Sequence, residues 1–239
     1  LVWQQQDDNR IRTWSEAGTY CSNLSQGGQT DWRLPGIKEL HSIANLSAGL
    51  SAAIDLSVFS IADIHQPEYW SSTTRVEYPS HAWYVSFGNG GMYIKDKNDK
   101  FYVRCIRGGS ESDIWSLSFS IIGDGTVVHQ TTGLTWQQED DDTVRNWEQA
   151  LNNCESKTLG GYSDWRLPNI KELNTVVNYS RVYPSINSTV FQNTKFSDYW
   201  SSTTSYGDNA WVIGFDHGGT SSSNSKNSTF YVRCIRGGQ

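Results

Sequence analysis

Hydrophobic residues near the start of the chain recur with helical spacing. They follow a capping box in which Thr13 is the N-cap residue and Glu16 occupies position N3. The positions that share one helical face are Trp14, Ala17, Cys21 and Leu24. Gly27 and Gly28 come next and are residues that stop a helix. The pattern therefore predicts a helix between Thr13 and Gly27.

A second, short helix is predicted after Pro35, because proline suits the first helical turn. Apolar and polar residues then alternate over residues 83–87, and a last apolar stretch covers 101–106, which indicates strands. A Gly-rich turn lies between them at 88–91. Two helices followed by a mostly antiparallel, twisted sheet form an α+β module.

The whole pattern occurs twice along the chain. Asp-Trp-Arg-Leu-Pro at 31–35 recurs at 164–168, and Tyr-Trp-Ser-Ser-Thr-Thr at 69–74 recurs at 199–204. The period is far longer than the 20–50 residues of a solenoid repeat, so it indicates two copies of one domain. We predict a first copy over 1–109, a linker over 110–118 and a second copy over 119–239.

The second copy opens with a hairpin that has no counterpart in the first. Residues 119–129 contain two short apolar runs around Gly-Asp-Gly at 123–125, which is a hairpin signal. Leu1 aligns with Leu134, so residues 119–133 are unmatched. Two expectations stay open: the protein has more residues upstream of Leu1, or another segment fills that edge of the first copy.

The composition argues against a nucleic-acid-binding protein and against a membrane-spanning helix. The net charge is −6, with 19 basic and 25 acidic residues, so nothing indicates an electrostatic nucleic-acid binder. No stretch approaches 18 apolar residues, so no membrane-spanning helix is predicted. Ten of the 11 tryptophans fall into five matched pairs and leave only Trp115. The aromatic excess is therefore predicted to be mostly duplicated core rather than a sugar-binding platform.

Each copy contains two cysteines, and their positions match between the copies. They are Cys21 and Cys105 in the first copy and Cys154 and Cys234 in the second. The even count predicts one disulfide per copy, joining the first helix to the last strand, in an oxidising compartment: extracellular, cell surface or periplasm. The alternative is a zinc site, but the chain has no Cys-x-x-Cys and its histidines do not repeat in register.

Two charged motifs have both a functional and a structural interpretation. The first motif is acidic and comprises Asp7-Asp8 and the run 139–142. In the functional interpretation these carboxylates are oxygen ligands for calcium, although they do not form an EF-hand pattern. In the structural interpretation they belong to solvated loops just before a helix N-terminus. The second motif is Asp-Trp-Arg-Leu-Pro, whose arginine is Arg33 in the first copy and Arg166 in the second. In the functional interpretation the arginine contacts a ligand. In the structural interpretation it pairs with a carboxylate, such as that of Glu39 or Glu172, around a buried tryptophan. Its repetition among core aromatics favours the structural interpretation.

Taken in order, the motifs resemble a known family. Both copies contain a helix cysteine, Gly-Gly, Asp-Trp-Arg-Leu-Pro, Tyr-Trp-Ser-Ser-Thr, Ala-Trp and Val-Arg-Cys-Ile-Arg-Gly. This order resembles the bacterial Lcl C-terminal domain family, named after the end domain of a Legionella collagen-like adhesin. The resemblance covers nearly the whole chain, twice. It implies two tandem C-type lectin-like domains, related in fold to formylglycine-generating enzymes, in an extracellular ligand-binding or adhesin protein.

The chain also differs from several proteins that are related to this family. One relative binds sulfated glycosaminoglycans, which needs a basic face, whereas this chain is acidic overall. Formylglycine-generating enzymes use active-site cysteines, whereas the predicted disulfides occupy all four cysteines of this chain, so no enzymatic activity is expected. The stretch 65–68 is only faintly similar to a calcium–sugar motif of C-type lectins, and 195–198 differs from it. We therefore expect no cofactor, with calcium as the remaining alternative.

The loops that differ between the copies are the candidate recognition surfaces. Residues 75–81 differ from 205–209, and residues 89–100 differ from 217–229. In C-type lectin-like folds this region forms the exposed binding face. The candidate ligand-binding residues are Tyr78, His81, Tyr84, Met92 and Tyr93 in the first copy and Tyr206, Asp208, Asn209, His217 and Asn224 in the second. The alternative is drift in unconstrained loops.

Two hypotheses about function follow. The first is an extracellular bacterial tandem lectin-like protein that binds a glycan or a protein on a surface, with two sites that raise avidity. The second is a structural subunit of a surface fibre, pilus or envelope assembly, in which an open sheet edge accepts a strand from a neighbour. Neither hypothesis involves nucleic acid or a membrane span in this chain.

Overall fold

The computed structural model describes residues 1–46, 52–61, 63, 65, 67–110 and 116–238. It divides into two compact units, Leu1–Ile114 and Trp115–Gln239. Most of the predicted linker, including Trp115, lies outside the described residues. Its last residue, Ser118, accepts a backbone hydrogen bond of 2.9 Å from Gln130, so this end of the predicted linker pairs with the hairpin of the second unit.

The first unit combines short helices with antiparallel strands, and the predicted α+β class is confirmed. Its elements are β1 (Val2–Trp3), α1 (Trp14–Ser22), β2 (Trp32–Arg33), α2 (Ile37–Ser42), β3 (Glu68–Thr74), β4 (His81–Ser86), β5 (Met92–Asp96) and β6 (Ile106–Arg107). One sheet has the order β3-β4-β5 and the other the order β1-β6-β2. All of these pairings are antiparallel.

The second unit repeats this arrangement and adds a hairpin. Its elements are β7 (Phe119–Ile121), β8 (Thr126–His129), β9 (Thr135–Gln137), α3 (Trp147–Glu155), α4 (Ile170–Thr175), β10 (Asp198–Thr204), β11 (Asn209–Gly214), β12 (Thr220–Ser225) and β13 (Ile235–Arg236). The sheets have the orders β10-β11-β12 and β13-β9-β8-β7. Within the described residues, no helix is long and apolar enough to span a membrane.

The helices begin where the sequence predicts a cap. Thr13 N donates to the Glu16 carboxylate at 2.9 Å, and Glu16 N donates to Thr13 Oγ1 at 3.4 Å, which completes the capping box of α1. Asn146 and Gln149 form the same pair in front of α3. The short second helices begin after their prolines, as predicted. Each proline precedes the N-cap residue, so α2 begins at Ile37 and α4 at Ile170, and neither proline stands in the first turn, which was the reason given for the prediction.

The core of each unit lies between the first helix and the three-stranded sheet. In the first unit Trp32, Trp70 and Val103 pack around the Cys21–Cys105 disulfide. The second unit packs the equivalent tryptophans around the Cys154–Cys234 disulfide. Both disulfides pair the cysteines that the duplicated positions predict, and all four cysteines are buried. Cys105 and Cys234 lie just before the last strands, because these strands cover only two residues and not the longer stretch that the sequence predicted.

Candidate functional site

The arginine of each repeated motif is held by a carboxylate of its own unit. Arg33 donates to both oxygens of Glu39 at 2.6 and 2.7 Å. Arg166 makes the same two bonds to Glu172, at 2.6 and 2.8 Å. A two-pronged arginine–carboxylate pair orients both side chains. The structural interpretation of these arginines is therefore confirmed, and we leave them out of the candidate site.

The acidic clusters are only partly the solvated loops that the sequence suggests. Asp7 and Asp140 are buried, and each accepts a hydrogen bond from a buried tyrosine hydroxyl, that of Tyr69 or Tyr199. Asp140 also faces Arg233 Nη2 at 3.2 Å, and Asp7 faces the equivalent arginine of the first unit at 3.5 Å. These two carboxylates are counter-ions of buried arginines, which corrects their interpretation as solvated residues.

The neighbouring acidic residues are paired at the surface. Asp8 forms an ion pair with Arg12, and Asp141 forms one with Arg145. The Arg12 hydrogen bond lowers the pKa of Asp8 below its ordinary value, against the effect of partial burial. Asp142 contacts Lys195 at 2.7 Å. Each of these three carboxylates already has a cationic partner from the protein.

The candidate ligand-binding residues lie at opposite ends of each three-stranded sheet. Tyr78 and His81 belong to the turn between β3 and β4, whereas Met92 and Tyr93 follow the turn between β4 and β5. Consecutive turns of an antiparallel meander lie at opposite ends, and six-residue strands separate them by about 20 Å. The ten candidates therefore do not form one surface per unit, which corrects the expectation of a single binding face.

In the first unit, some candidates are exposed and others are part of the packing. Tyr78 is 57% exposed, and its ring lies 5.9 Å from the half-buried His81 ring. Tyr84 packs against Phe101 at 4.6 Å, and burial raises its pKa to about 12. Tyr93 accepts a hydrogen bond of 2.7 Å from the Asn89 side chain. Met92 is buried because it pairs with Val85 and faces the core, so it is removed from the candidate surface.

In the second unit, the candidates also lie at both ends of the three-stranded sheet. Tyr206, Asp208 and Asn209 surround the turn between β10 and β11, and Tyr206 is 65% exposed. Asn224 belongs to this end, because it pairs with Ala210, and its amide donates to Ser221. His217 alone lies at the other end, in the turn between β11 and β12. We call these the β10–β11 end and the β11–β12 end.

The β11–β12 end also carries exposed aromatics that the sequence analysis missed. Tyr183 is 56% and Phe196 is 59% exposed, and their rings meet edge to face at 6.3 Å. The backbone of Tyr183 donates to Asp216 O at 2.8 Å, and Phe215 N donates to Ser197 O at 2.9 Å, which ties both loops to this end. The sequence feature that could have indicated these residues is the presence of two aromatic residues in 178–197, a stretch in which the two copies differ.

Polar groups converge beside these aromatics. A Cβ atom on Gly214 would lie 2.5 Å from Asp216 Oδ1 and 3.0 Å from Asp198 Oδ1, so the two carboxylates meet above that glycine. His217 Nδ1 lies 2.5 Å from Asp216 Oδ1. Burial, followed by the charge of Asp216, raises the pKa of Asp198. Burial would also raise the pKa of Asp216, but its contacts with His217 outweigh this and lower it.

Among the residues that the structure describes, the first unit has no such group at the equivalent end. Gly88 and Asn89 stand in place of Asp216 and His217 after the matched phenylalanine. A Cβ on the neighbouring Gly90 would lie 2.5 Å from a Leu46 methyl group, so the turn packs closely on an apolar side chain. Of the stretch 65–68, Gln66 lies outside the described residues. The aromatic and carboxylate group is thus a feature of the second unit.

Two segments of the chain match one family model. The Lcl C-terminal domain model matches residues 1–107 and again residues 125–236. The chain belongs to the Lcl C-terminal domain family. Membership of this family indicates an adhesin-like surface protein, and the two disulfides are consistent with a secreted or surface location. A search of curated proteins finds no match to this chain.

Proposed function

We propose that this protein is an extracellular, non-catalytic adhesin-type protein that recognises a glycan or a protein through loops of its tandem Lcl C-terminal domains. The observation that carries the proposal is the β11–β12 end of the second unit. There Tyr183 and Phe196 expose aromatic surface beside Asp198, Asp216 and His217. A few placed polar groups beside aromatic surface are typical of sites that bind small polar ligands.

Charge favours some ligands over others at this end. The carboxylates of Asp198 and Asp216 accept hydrogen bonds from hydroxyl or amino groups and repel sulfate groups. Aromatic rings pack against the apolar face of a sugar ring or against a protein side chain. A neutral glycan or a neutral to basic protein surface therefore fits better than a sulfated polysaccharide.

The test compares variants at the two ends of one sheet. The chain is screened on a glycan array, and its affinity for the best ligand is measured by calorimetry. Replacing Tyr183 and Phe196 together with alanine is expected to weaken binding by about tenfold, or about 1.4 kcal/mol. Tyr206→Ala removes a tyrosine at the β10–β11 end that is even more exposed, at 65%, and is expected to leave affinity unchanged. The reverse result would move the site to the β10–β11 end.

The same proposal includes that the protein is not an enzyme and that it needs no metal ion. All four cysteines are in disulfides, so no thiol serves as a nucleophile. The aspartates of the acidic clusters already contact arginine or lysine side chains, and Glu139 accepts a hydrogen bond from the Asn193 amide.

Calcium is expected to leave thermal stability unchanged. A cation that binds the native state at a hundred times its dissociation constant stabilises it by about 2.7 kcal/mol, which is easily detected. Thermal unfolding is followed in excess calcium and in excess chelator, with magnesium as the control ion. A higher midpoint in calcium alone would contradict this expectation and show that the native protein binds this ion.

A structural subunit is the second candidate function, and one specific observation favours it. Among the described residues β1 is an edge strand of its sheet, and edge strands offer main-chain groups for pairing with another strand. Sedimentation without ligand separates the candidates, because an assembly subunit forms ordered oligomers, whereas a free-standing binder stays monomeric.

A further inference from the structure

One face of the three-stranded sheet of the first unit carries side chains that are only partly buried. Two of them lie opposite each other on β3 and β4, and two more lie opposite each other on β4 and β5. These pairs are Glu68 with Ser86 and Tyr84 with Tyr93. Tyr84 and Ser86 are two positions apart on β4 and so share a face, and opposite side chains on one face lie about 5 Å apart. The four residues therefore form one continuous patch, which we call the β4 patch.

The ring of Tyr93 is held over the backbone of the neighbouring turn. A Cβ atom on Gly91 would lie 2.5 Å from the Tyr93 hydroxyl oxygen and 2.7 Å from the ring, so the glycine leaves room for this ring. Asn89 fixes the far end of the side chain, because its amide donates to the Tyr93 hydroxyl at 2.7 Å and its oxygen accepts from Gly91 N at 2.9 Å. A ring that is already fixed loses little conformational entropy when a ligand packs on it.

Three polar groups beside this ring have no hydrogen bond or ion pair with any other described residue. They are the Glu68 carboxylate and the hydroxyl groups of Tyr84 and Ser86. The Tyr84 hydroxyl is close to the carboxylate, since burial, followed by the negative charge of Glu68, raises the pKa of Tyr84 to about 12. The patch thus combines a fixed aromatic ring with hydrogen-bonding groups that the protein itself does not use.

The second unit builds the same sheet without most of these side chains. It retains a carboxylate, that of Asp198, in place of Glu68. The other three positions are Val212, Gly214 and Ser221 in place of Tyr84, Ser86 and Tyr93. The fold therefore does not require the two tyrosines and the serine, which favours a role in binding over a role in packing.

We propose that the β4 patch binds a neutral saccharide. A sugar ring packs its apolar face on Tyr93, and its hydroxyl groups bond to the three unused polar groups of the patch. All three of those groups accept hydrogen bonds and two of them also donate, which matches sugar hydroxyl groups. Glu68 supplies the only charge in the patch, so sulfated and acidic sugars are repelled. This site belongs to the first unit and is independent of the β11–β12 end, on which the proposed function rests.

The test uses the full chain with the β11–β12 aromatics removed. A chain with Tyr183→Ala and Phe196→Ala is screened on an array of neutral, sulfated and acidic glycans, and the strongest neutral oligosaccharide is titrated by calorimetry. We expect saturable binding of that neutral oligosaccharide at one site per chain. Loss of all glycan binding in this chain would overturn the β4 patch and leave the proposed function intact.

Variants of the patch copy the residues of the second unit, where the same sheet carries them. In the same background, Tyr84→Val and Tyr93→Ser are each expected to weaken binding of the neutral oligosaccharide by about tenfold. Tyr84→Phe retains the ring contact with Phe101 and removes only the hydroxyl group, and it is expected to weaken binding by about fivefold. The unfolding midpoint of each variant is measured, so that a loss of affinity is compared only among folded chains.

A tyrosine at the other end of the same sheet is the control. Tyr78 is 57% exposed in the turn between β3 and β4, and Tyr78→Ala is expected to leave affinity unchanged. An equal loss in Tyr78→Ala and Tyr93→Ser overturns the proposal. A preference of the chain for sulfated or acidic glycans over neutral ones overturns it as well, as does unchanged affinity in both folded Tyr84 variants.

Discussion

Asp140→Asn is expected to destabilise the second unit by about 3–5 kcal/mol, because it leaves a buried arginine without its counter-charge. Arg233 is fully buried, and its guanidinium donates to Gln137 O at 2.9 Å, to Gln138 O at 2.6 Å and to Asp140 at 3.2 Å. The carbonyl groups stabilise the cation only as dipoles, so the aspartate supplies the neutralising charge. Urea unfolding followed by circular dichroism measures the loss.

The chain contains its own controls for this prediction. Asp7→Asn changes the equivalent carboxylate beside Arg104 and is expected to destabilise the first unit by a similar amount. Asp142→Asn removes a carboxylate whose side chain is 63% exposed and is expected to cost less than about 1 kcal/mol. Equal and small losses in all three variants would mean that the buried arginines do not depend on their aspartates.

The buried arginine network also shows what sequence patterns could not predict. Asp7 and Asp140 each stand next to other acidic residues, so their local pattern is that of a solvated loop. Their partners lie 97 and 93 residues farther along the chain. Burial here depends on a long-range contact, and no spacing within either cluster indicates which aspartate faces the core.

Local interactions, in contrast, were predictable from the sequence. The capping boxes of α1 and α3 involve residues three positions apart, and the pair Arg33–Glu39 spans six. The duplicated motifs carried the same information twice, which is why the α+β class and the tandem organisation could be predicted without the structure. The positions of the loops in space could not be predicted in this way, because neither short-range contacts nor duplicated motifs determine them.

The candidate site illustrates that limit. The segments that differ between the copies include turns, but they also contain strands β5 and β12, where the sequence predicted loops. Divergence also could not show that successive turns lie at opposite ends of the sheet. Met92 was grouped with exposed residues although its register with Val85 turns it into the core. Tyr183 and Phe196 lie in an irregular stretch whose path is set by backbone bonds to Asp216 and Phe215. Neither a helical nor a strand periodicity could have placed them together.

Removal of one disulfide is expected to cost each unit about 2–5 kcal/mol. Cys154 and Cys234 are separated by 80 residues, and Cys21 and Cys105 by 84, so each crosslink removes the loop-closure entropy of a long segment from the unfolded chain. Replacing both Cys154 and Cys234 with alanine avoids leaving a reactive thiol and adds no buried polar group. The unfolding midpoint in urea is compared with that of the unaltered chain under non-reducing conditions.

The two units provide a matched pair for this last prediction as well. Replacing both Cys21 and Cys105 with alanine is expected to produce a loss of similar size, since the closed loops are of nearly equal length and all four cysteines are buried. No loss in either pair would show that packing around the buried tryptophans alone maintains the fold.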